Sequence, residues 1–271
     1  MSASSSASAF LDQAAAAVVD TSFEPIGVLP GDDVTAVAAR VSRRLALGDG
    51  LVQQGEAVIA VRAGVLRYRP PNRYWVEHNQ RKYIPAVEDF AVGTVTARSA
   101  DFYTVDVGGP TAALLPTLGF DGATKRNRPN LQVGDLLYAR VVDAPKDMEP
   151  ELSCCAVHGA KKDWMTGDAT YGELREGHVF TCSVALARQL LRADSPVLRC
   201  LAGCTPFELA IGHNGRVWVN SGSPPHTIFI ANALANSELL SPEQVELMVQ
   251  RLWATMKKQM DARERSDDDD E

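Results

Sequence analysis

Four groups of residues in this 271-residue chain have the types and spacing that chemistry requires. Lys125-Arg126-Asn127-Arg128 sets three cations and an amide in consecutive positions, and Pro129 keeps the stretch out of helix. Such a cluster suits phosphates strung along a single strand. Asp143, Asp147, Glu149 and Glu151 are the carboxylates that a magnesium-dependent nuclease would gather around its metal. Cys200 and Cys204, with Cys154, Cys155, His158 and His178, are zinc-ligand types, though no CxxC knuckle is present. Gly212-His213-Asn214-Gly215 fits the G-x-x-G pattern by which KH domains clamp a nucleotide backbone.

Each group also has a plainer reading. The cationic loop suits a solvated turn or an inter-subunit salt-bridge strip as well as RNA. The four carboxylates lie on a Pro-punctuated loop with Lys146 among them and no base or nucleophile beside them, which favours a solvated turn. Five cysteines, an odd count without regular spacing, read as free thiols in a reducing compartment and not as a disulfide framework. No metal and no cofactor is therefore expected. In the G-x-x-G segment the variable pair is His-Asn, without a cation for phosphate, and its flanks FELAI and RVWV alternate as strands do. Asn-Gly between two such strands signals a two-residue hairpin, with φ above zero at both central positions. Gly212, His213, Asn214 and Gly215 thus read as a structural motif in which His213 is replaceable by Ala. Trp218 alternates onto the opposite face from Val217 and Val219, so its indole is expected to cover a neighbouring module.

The elements that would position these groups are mostly strands. Val92 to Thr96, Phe102 to Val107, Ala112 to Leu115, Leu136 to Val142 and Glu151 to Cys154 are short β-type runs broken by turn residues. Five such strands between 88 and 158 fit a small OB-type barrel, whose faces and loops bind single-stranded nucleic acid. Tyr103, Val105 and Val107 share the expected core face, leaving Phe102 outward as a candidate stacking residue. Arg98 and Lys146 lie at other barrel loops and extend the basic patch. Before the barrel, residues 25–86 read as a β-rich module. There Ala57 to Val61 and Val65 to Tyr68 suggest one hairpin, and Arg73 to Val76 with Arg81 to Pro85 a second. Tyr74, Trp75 and Tyr83 suit core or interface packing better than an RNA platform.

Residues 164–263 read as an α/β module. Val179 to Ser183, Val197 to Leu201, Phe207 to Ile211 and Arg216 to Val219 suggest strands, while Ala185 to Leu191 and His226 to Asn236 suggest helices. A last helix opens with Ser241 as cap, Pro242 at its first position and Gln244 closing a capping box. Its stripe runs Val245, Met248, Val249, Leu252, Trp253, Met256 and Met260. The leader 1–24 and the acidic tail 264–271 are expected to be disordered.

Formal net charge is −7, yet five of the excess acids are Asp267 to Glu271 at the very end, so the rest carries −2. The basic loop 121–130 is a local patch of +2. Such a chain would hold RNA weakly alone and better as one wall of a larger positive channel. No apolar run reaches the length of a membrane span.

Three motifs in order, FDGATKRNRPNLQVGDLLYARVV from Phe120, KDMEPELSC from Lys146 and IGHNGRVWV from Ile211, resemble one family. VLPGDDV from Val28, Tyr74-Trp75-Val76 and Tyr83-Ile84-Pro85 extend the likeness. It is the S1/KH cap-subunit family of the eukaryotic RNA exosome, the ribosomal RNA-processing protein 40 or exosome component 3 family. The resemblance implies three modules: an N-terminal β module at 25–86, an S1 (OB-type) five-stranded barrel at 88–158 and a KH-like α/β domain at 164–263. It implies a non-catalytic subunit that binds single-stranded RNA beside other cap subunits, over a ring of ribonuclease-PH-like subunits. Its places would be nucleus, nucleolus and cytoplasm. The competing expectations are a free-standing S1/KH RNA-binding protein and a magnesium-dependent ribonuclease.

Overall fold

The computed structural model describes residues 26–39, 45–70, 72–79, 82–145, 147–157, 162, 164–166 and 169–268. Lys146, His158 and the leader 1–24 lie outside the described residues, so the expectations placed on them have no structural counterpart. The chain divides into two compact units between residues 80 and 81, and Tyr83, assigned above to the first module, belongs to the second.

The first unit contains β1 (Ile26–Val28), α1 (Thr35–Ala39), β2 (Ala46–Leu47), β3 (Leu51–Gln54), β4 (Ala57–Ala60), β5 (Gly64–Arg69) and β6 (Arg73–Glu77). A four-stranded sheet runs β1-β5-β6-β2, and β3 pairs with β4 separately. Both expected hairpins are thereby re-paired. β4 returns on β3, Leu51 opposite Ala60, whereas β5 pairs with β1 and β6. Apolar runs flank Arg62-Ala63-Gly64 as well as Gly55-Glu56, so two hairpins compete on local sequence alone. Val28, Leu51, Val58, Leu66, Tyr74 and Val76 form this unit's core, which makes Tyr74 a packing residue.

The second unit opens with the barrel strands β7 (Phe90–Arg98), β8 (Phe102–Asp106), β9 (Ala113–Pro116), β10 (Leu136–Asp143) and β11 (Glu151–Ser153). The order β11-β9-β8-β7-β10 closes on itself because β11 also pairs with β10. Tyr103, Val105, Val107, Leu115, Leu137 and Val141 fill it, the face expected from alternation. Along the other edge of β10, β12 (Gly172–Leu174) pairs with Leu136 to Tyr138.

A three-stranded sheet follows in the order β13-β15-β14, from β13 (His178–Thr181), β14 (Phe207–Ile211) and β15 (Arg216–Ser221). Its helices are α2 (Val184–Leu190), α3 (Pro196–Ala202), α4 (Pro224–Asn236) and α5 (Pro242–Asp268). The expected strand at 197–201 is helix α3: Ser195 stands at its N-cap and Pro196 in its first turn, start signals that outweigh a short apolar run. In α5 the capping box is present, with Ser241 N–H donating to Gln244 Oε1 at 3.0 Å and Gln244 N–H to Ser241 Oγ at 3.4 Å. The helix runs on through Asp268, so 264–268 is not the disordered tail expected. Leu186, Leu201, Ile211, Val217, Ile230, Val249 and Met256 are in the core of this module.

Candidate nucleic-acid interface

The basic loop is exposed between two buried anchors. Phe120, Asp121, Pro129 and Leu131 are buried, while residues 124–128 are exposed. Asp121 Oδ2 accepts from Ala156 N–H at 2.7 Å, and Tyr103, inside the barrel, donates its hydroxyl to Pro129 O at 2.7 Å. Between the anchors the loop turns tightly, with Thr124 N–H donating to Asn127 O at 2.8 Å and Asn127 N–H to Thr124 O at 3.1 Å.

Arg128 and Asn127 tie this turn to its surroundings. Arg128 Nη1 donates to Ala100 O at 3.0 Å and to Thr117 Oγ1 at 3.2 Å. Ala100 lies in the turn between β7 and β8, whose flanks are Arg98 and Phe102. Phe102 is 43% exposed, and it pairs in register with Pro116. Asn127 Nδ2 donates to Met165 Sδ at 2.9 Å. Lys125, Arg126 and Arg98 are exposed and make no ion pair among the described residues. The structure therefore brings Arg98, Phe102 and Arg128 to one end of the barrel, with Lys125 and Arg126 on the loop that Arg128 holds there. Thr117, held by Arg128 from eleven positions away in the chain, joins that end with the neighbouring exposed Leu118, and nothing in the local sequence marks it.

The other end of the barrel carries the G-x-x-G segment. β10 pairs with β7 along Phe90 to Thr94, but β8 pairs with it only from Thr94 onward. The tip of the β14–β15 hairpin occupies the edge that β8 leaves open. His213 N–H donates to Phe90 O at 2.7 Å, and Phe90 N–H donates to His213 Nδ1 at 3.0 Å. Asn214 Nδ2 donates to Val92 O at 2.8 Å and Val107 O at 2.9 Å. Arg216 then pairs with Asp106 at 2.6 Å and donates to its carbonyl at 2.7 Å. The Arg216 hydrogen bond holds the Asp106 carboxyl below its ordinary range. Burial depresses the His213 imidazole below its usual value. A backbone N–H can only donate, so Nδ1 must be the unprotonated nitrogen.

Two features of the sequence reading change here. The connection is not a two-residue I′ hairpin: Gly215 N–H donates to Gly212 O at 3.1 Å, and only Gly215 has positive φ, at +75°. That is a type I turn followed by a left-handed glycine, so Asn214 contributes its amide and not an unusual backbone. His213 is not replaceable without cost, because it is docked on β7. Gly212 is needed for close approach, since a Cβ there would stand 2.7 Å from Val92 N. Trp218 is buried, and its indole donates to Glu176 O at 2.8 Å. It covers the Glu176-Gly177 turn that carries the chain from β12 into β13. The indole expected to cover a neighbouring module thus bonds inside its own, residues 164–263. β7 separates this junction from the basic end by about 27 Å, taken as eight steps at strand rise.

The remaining groups stay apart. Asp143, Asp147, Glu149 and Glu151 are each exposed, and no three His, Cys, Asp or Glu side chains come together among the described residues. All five cysteines are free; Cys154 donates to Tyr138 O inside the barrel, and burial raises its thiol well above the ordinary value. No helix among the described residues is long and apolar enough to cross a membrane.

A closed five-stranded barrel with a fastened basic end, docked on a KH-like sheet, defines an S1/KH protein of the nucleic-acid-binding class. Residues 83–165 match the S1 domain of exosome complex component RRP40, residues 177–225 a KH domain, and residues 27–79 the N-terminal domain of mammalian exosome complex component RRP40. The chain belongs to the RRP40 family of exosome complex components. The Drosophila melanogaster exosome complex component RRP40 is 42% identical over 212 residues, 78% of this chain and 88% of that protein. The Homo sapiens RRP40 is 38% identical over 215 residues, 77% and 76% of the two chains. A solved structure described as an exosome complex RNA-binding protein shares the fold over 64% of this chain and 97% of its own, at TM-score 0.50 and 19% identity.

Proposed function

We propose that this chain is a non-catalytic, RNA-binding cap subunit of the RNA exosome. It sits beside other cap subunits over a ring of ribonuclease-PH-like chains and guides RNA 3′ ends toward a nuclease that another chain supplies. The observation that carries the reading is the basic end of the barrel, where Arg128 fastens a cationic loop beside the exposed ring of Phe102. Cations there meet phosphates and the ring offers a face to a base, the combination that single strands require. A net charge of −7 argues against a strong solitary binder and for a wall of a shared channel. The role places the chain in nucleus, nucleolus and cytoplasm.

Two measurements on the tagged full-length chain test this. Native mass analysis of material drawn from cell extract should find one copy in a stoichiometric complex with ring subunits; a free monomer carrying RNA would support a free-standing binder. The purified chain should leave end-labelled single-stranded RNA intact in magnesium or manganese. Turnover abolished by Asp143→Ala with Asp147→Ala would establish the nuclease reading.

A further inference from the structure

The four-stranded sheet of the first unit turns one face into its core and the other outward. Along β5 and β6, Leu66, Tyr68, Tyr74 and Val76 are buried. Alternation therefore sends Arg67 and Arg69 of β5, and Arg73, Trp75 and Glu77 of β6, to the outer face. The register sets Arg69 opposite Arg73, Arg67 opposite Trp75 and Val65 opposite Glu77. Trp75, expected from the sequence to pack in a core or an interface, is partly exposed beside arginines. On its β2 flank stands Gly48, where a Cβ would lie 2.8 Å from Trp75 Cβ, so that neighbour puts no side chain over the indole.

Charge on this face is one-sided. Glu77 is the one acid in β1, β2, β5 and β6, and Arg67 Nε donates to it at 2.6 Å. Asp49, just beyond β2, pairs with Arg62 at 3.0 Å. Asp32 and Asp33 join β4 instead, through Ala60 N–H and a bridge to Ile59, and Glu56 sits in the β3–β4 turn. Arg69 and Arg73 are both exposed. Like charges set directly opposite each other across a ladder repel, and an oxyanion between two guanidinium groups turns that repulsion into charge-assisted hydrogen bonds.

We propose that this face is a second contact for single-stranded RNA, separate from the basic end of the barrel. A phosphate lies between Arg69 and Arg73, and a base stacks on Trp75 in the next row, about 7 Å along the strands. Cations on the backbone and an aromatic under a base are what a single strand requires. Three arginines bordering a ring, with no apolar groove beside them, suit RNA better than an acidic helix, which would need apolar anchors. The inference rests on the RNA-binding reading of the chain.

The test uses the reconstituted complex and single-stranded RNA substituted with bromouracil, which crosslinks to aromatic rings on irradiation. A crosslink should map to Trp75. Arg69→Ala with Arg73→Ala should flatten the log–log salt slope of RNA affinity by about 1.4, at roughly 0.7 for each contact, with the subunit still assembled. Trp75→Ala should weaken binding about tenfold, while Trp75→Phe, which keeps a ring, should bind close to wild type. An unchanged slope for the arginine pair, where Lys125→Ala with Arg126→Ala does flatten it, would overturn this inference and leave the barrel contact standing. A slope that neither pair alters would overturn both. Loss of the arginine variant from the complex would also overturn the inference, since the face would then dock protein.

Discussion

At Gly215 the fold leaves room for a hydrogen and nothing larger. Its φ is +75°, and a Cβ would stand 2.5 Å from Cys182 O. Gly215→Val is therefore expected to cost about 3 kcal/mol in strain and displaced backbone, read as a shift of the denaturation midpoint. Two positions earlier, His213 sets a pH dependence. Its folded value lies below the ordinary 6.5, so the unfolded chain takes up the proton first, and stability rises with pH across the interval between the two values. The contribution is complete above about pH 6.5 and lost as pH falls from there toward the folded value. Protonation at Nδ1 would set N–H against the Phe90 N–H and add a second cation near Arg188. Denaturation midpoints measured at pH 8 and at about pH 5 should fall farther for the wild type than for His213→Gln. At pH 8, His213→Ala should cost about 1–2 kcal/mol through the orphaned Phe90 N–H. Asn-Gly between alternating strands foretold a hairpin, though not its type, since only Gly215 takes positive φ. The docking of His213 was illegible, because Phe90 lies more than a hundred positions away.

The element that joins barrel to KH-like sheet is the β14–β15 hairpin, and it works by completing the ladder of β7. Asn214 is its central latch, donating to two carbonyls that otherwise have no strand opposite them. Asn214→Ala should cost about 2–3 kcal/mol from two unpaired buried acceptors. Asn214→Asp should cost at least as much, since a carboxylate cannot donate and would face two carbonyls. Both variants should lower the melting temperature, while His178→Ala, at the exposed start of β13, serves as a neutral control. Other elements show where sequence reading succeeds and fails. The barrel strands and α5 were legible because alternation, capping box and stripe all agree with the packing. α3 was misread since four apolar residues around Arg199 suit either element, and Ser195-Pro196 carried the decisive sign. In the first unit, β4 and β5 look like hairpin partners, yet they belong to different sheets; β4 turns back on β3 through Gly55-Glu56, where Gly55 takes the positive φ of a tight hairpin.

For the whole molecule, the two ends of β7 carry separate duties. The Phe90 end is built into the KH-like junction, and the Arg98 end is where cations and an exposed aromatic converge. The cluster of Lys125, Arg126 and Arg128 was legible as charge, but Arg128 turns out to serve position as well, holding the loop to Ala100 and Thr117. Removing Arg128 would thus mix loss of charge with loss of shape. Lys125 and Arg126 are the clean probes. The most direct measurement is the salt dependence of single-stranded RNA affinity in the reconstituted complex, with this subunit either wild type or Lys125→Ala with Arg126→Ala. With both residues on phosphate, the log–log slope should flatten by about 1.4, at roughly 0.7 for each contact, while the complex stays assembled. An unchanged slope, or a subunit that no longer assembles, would mean that the basic end docks protein and not RNA.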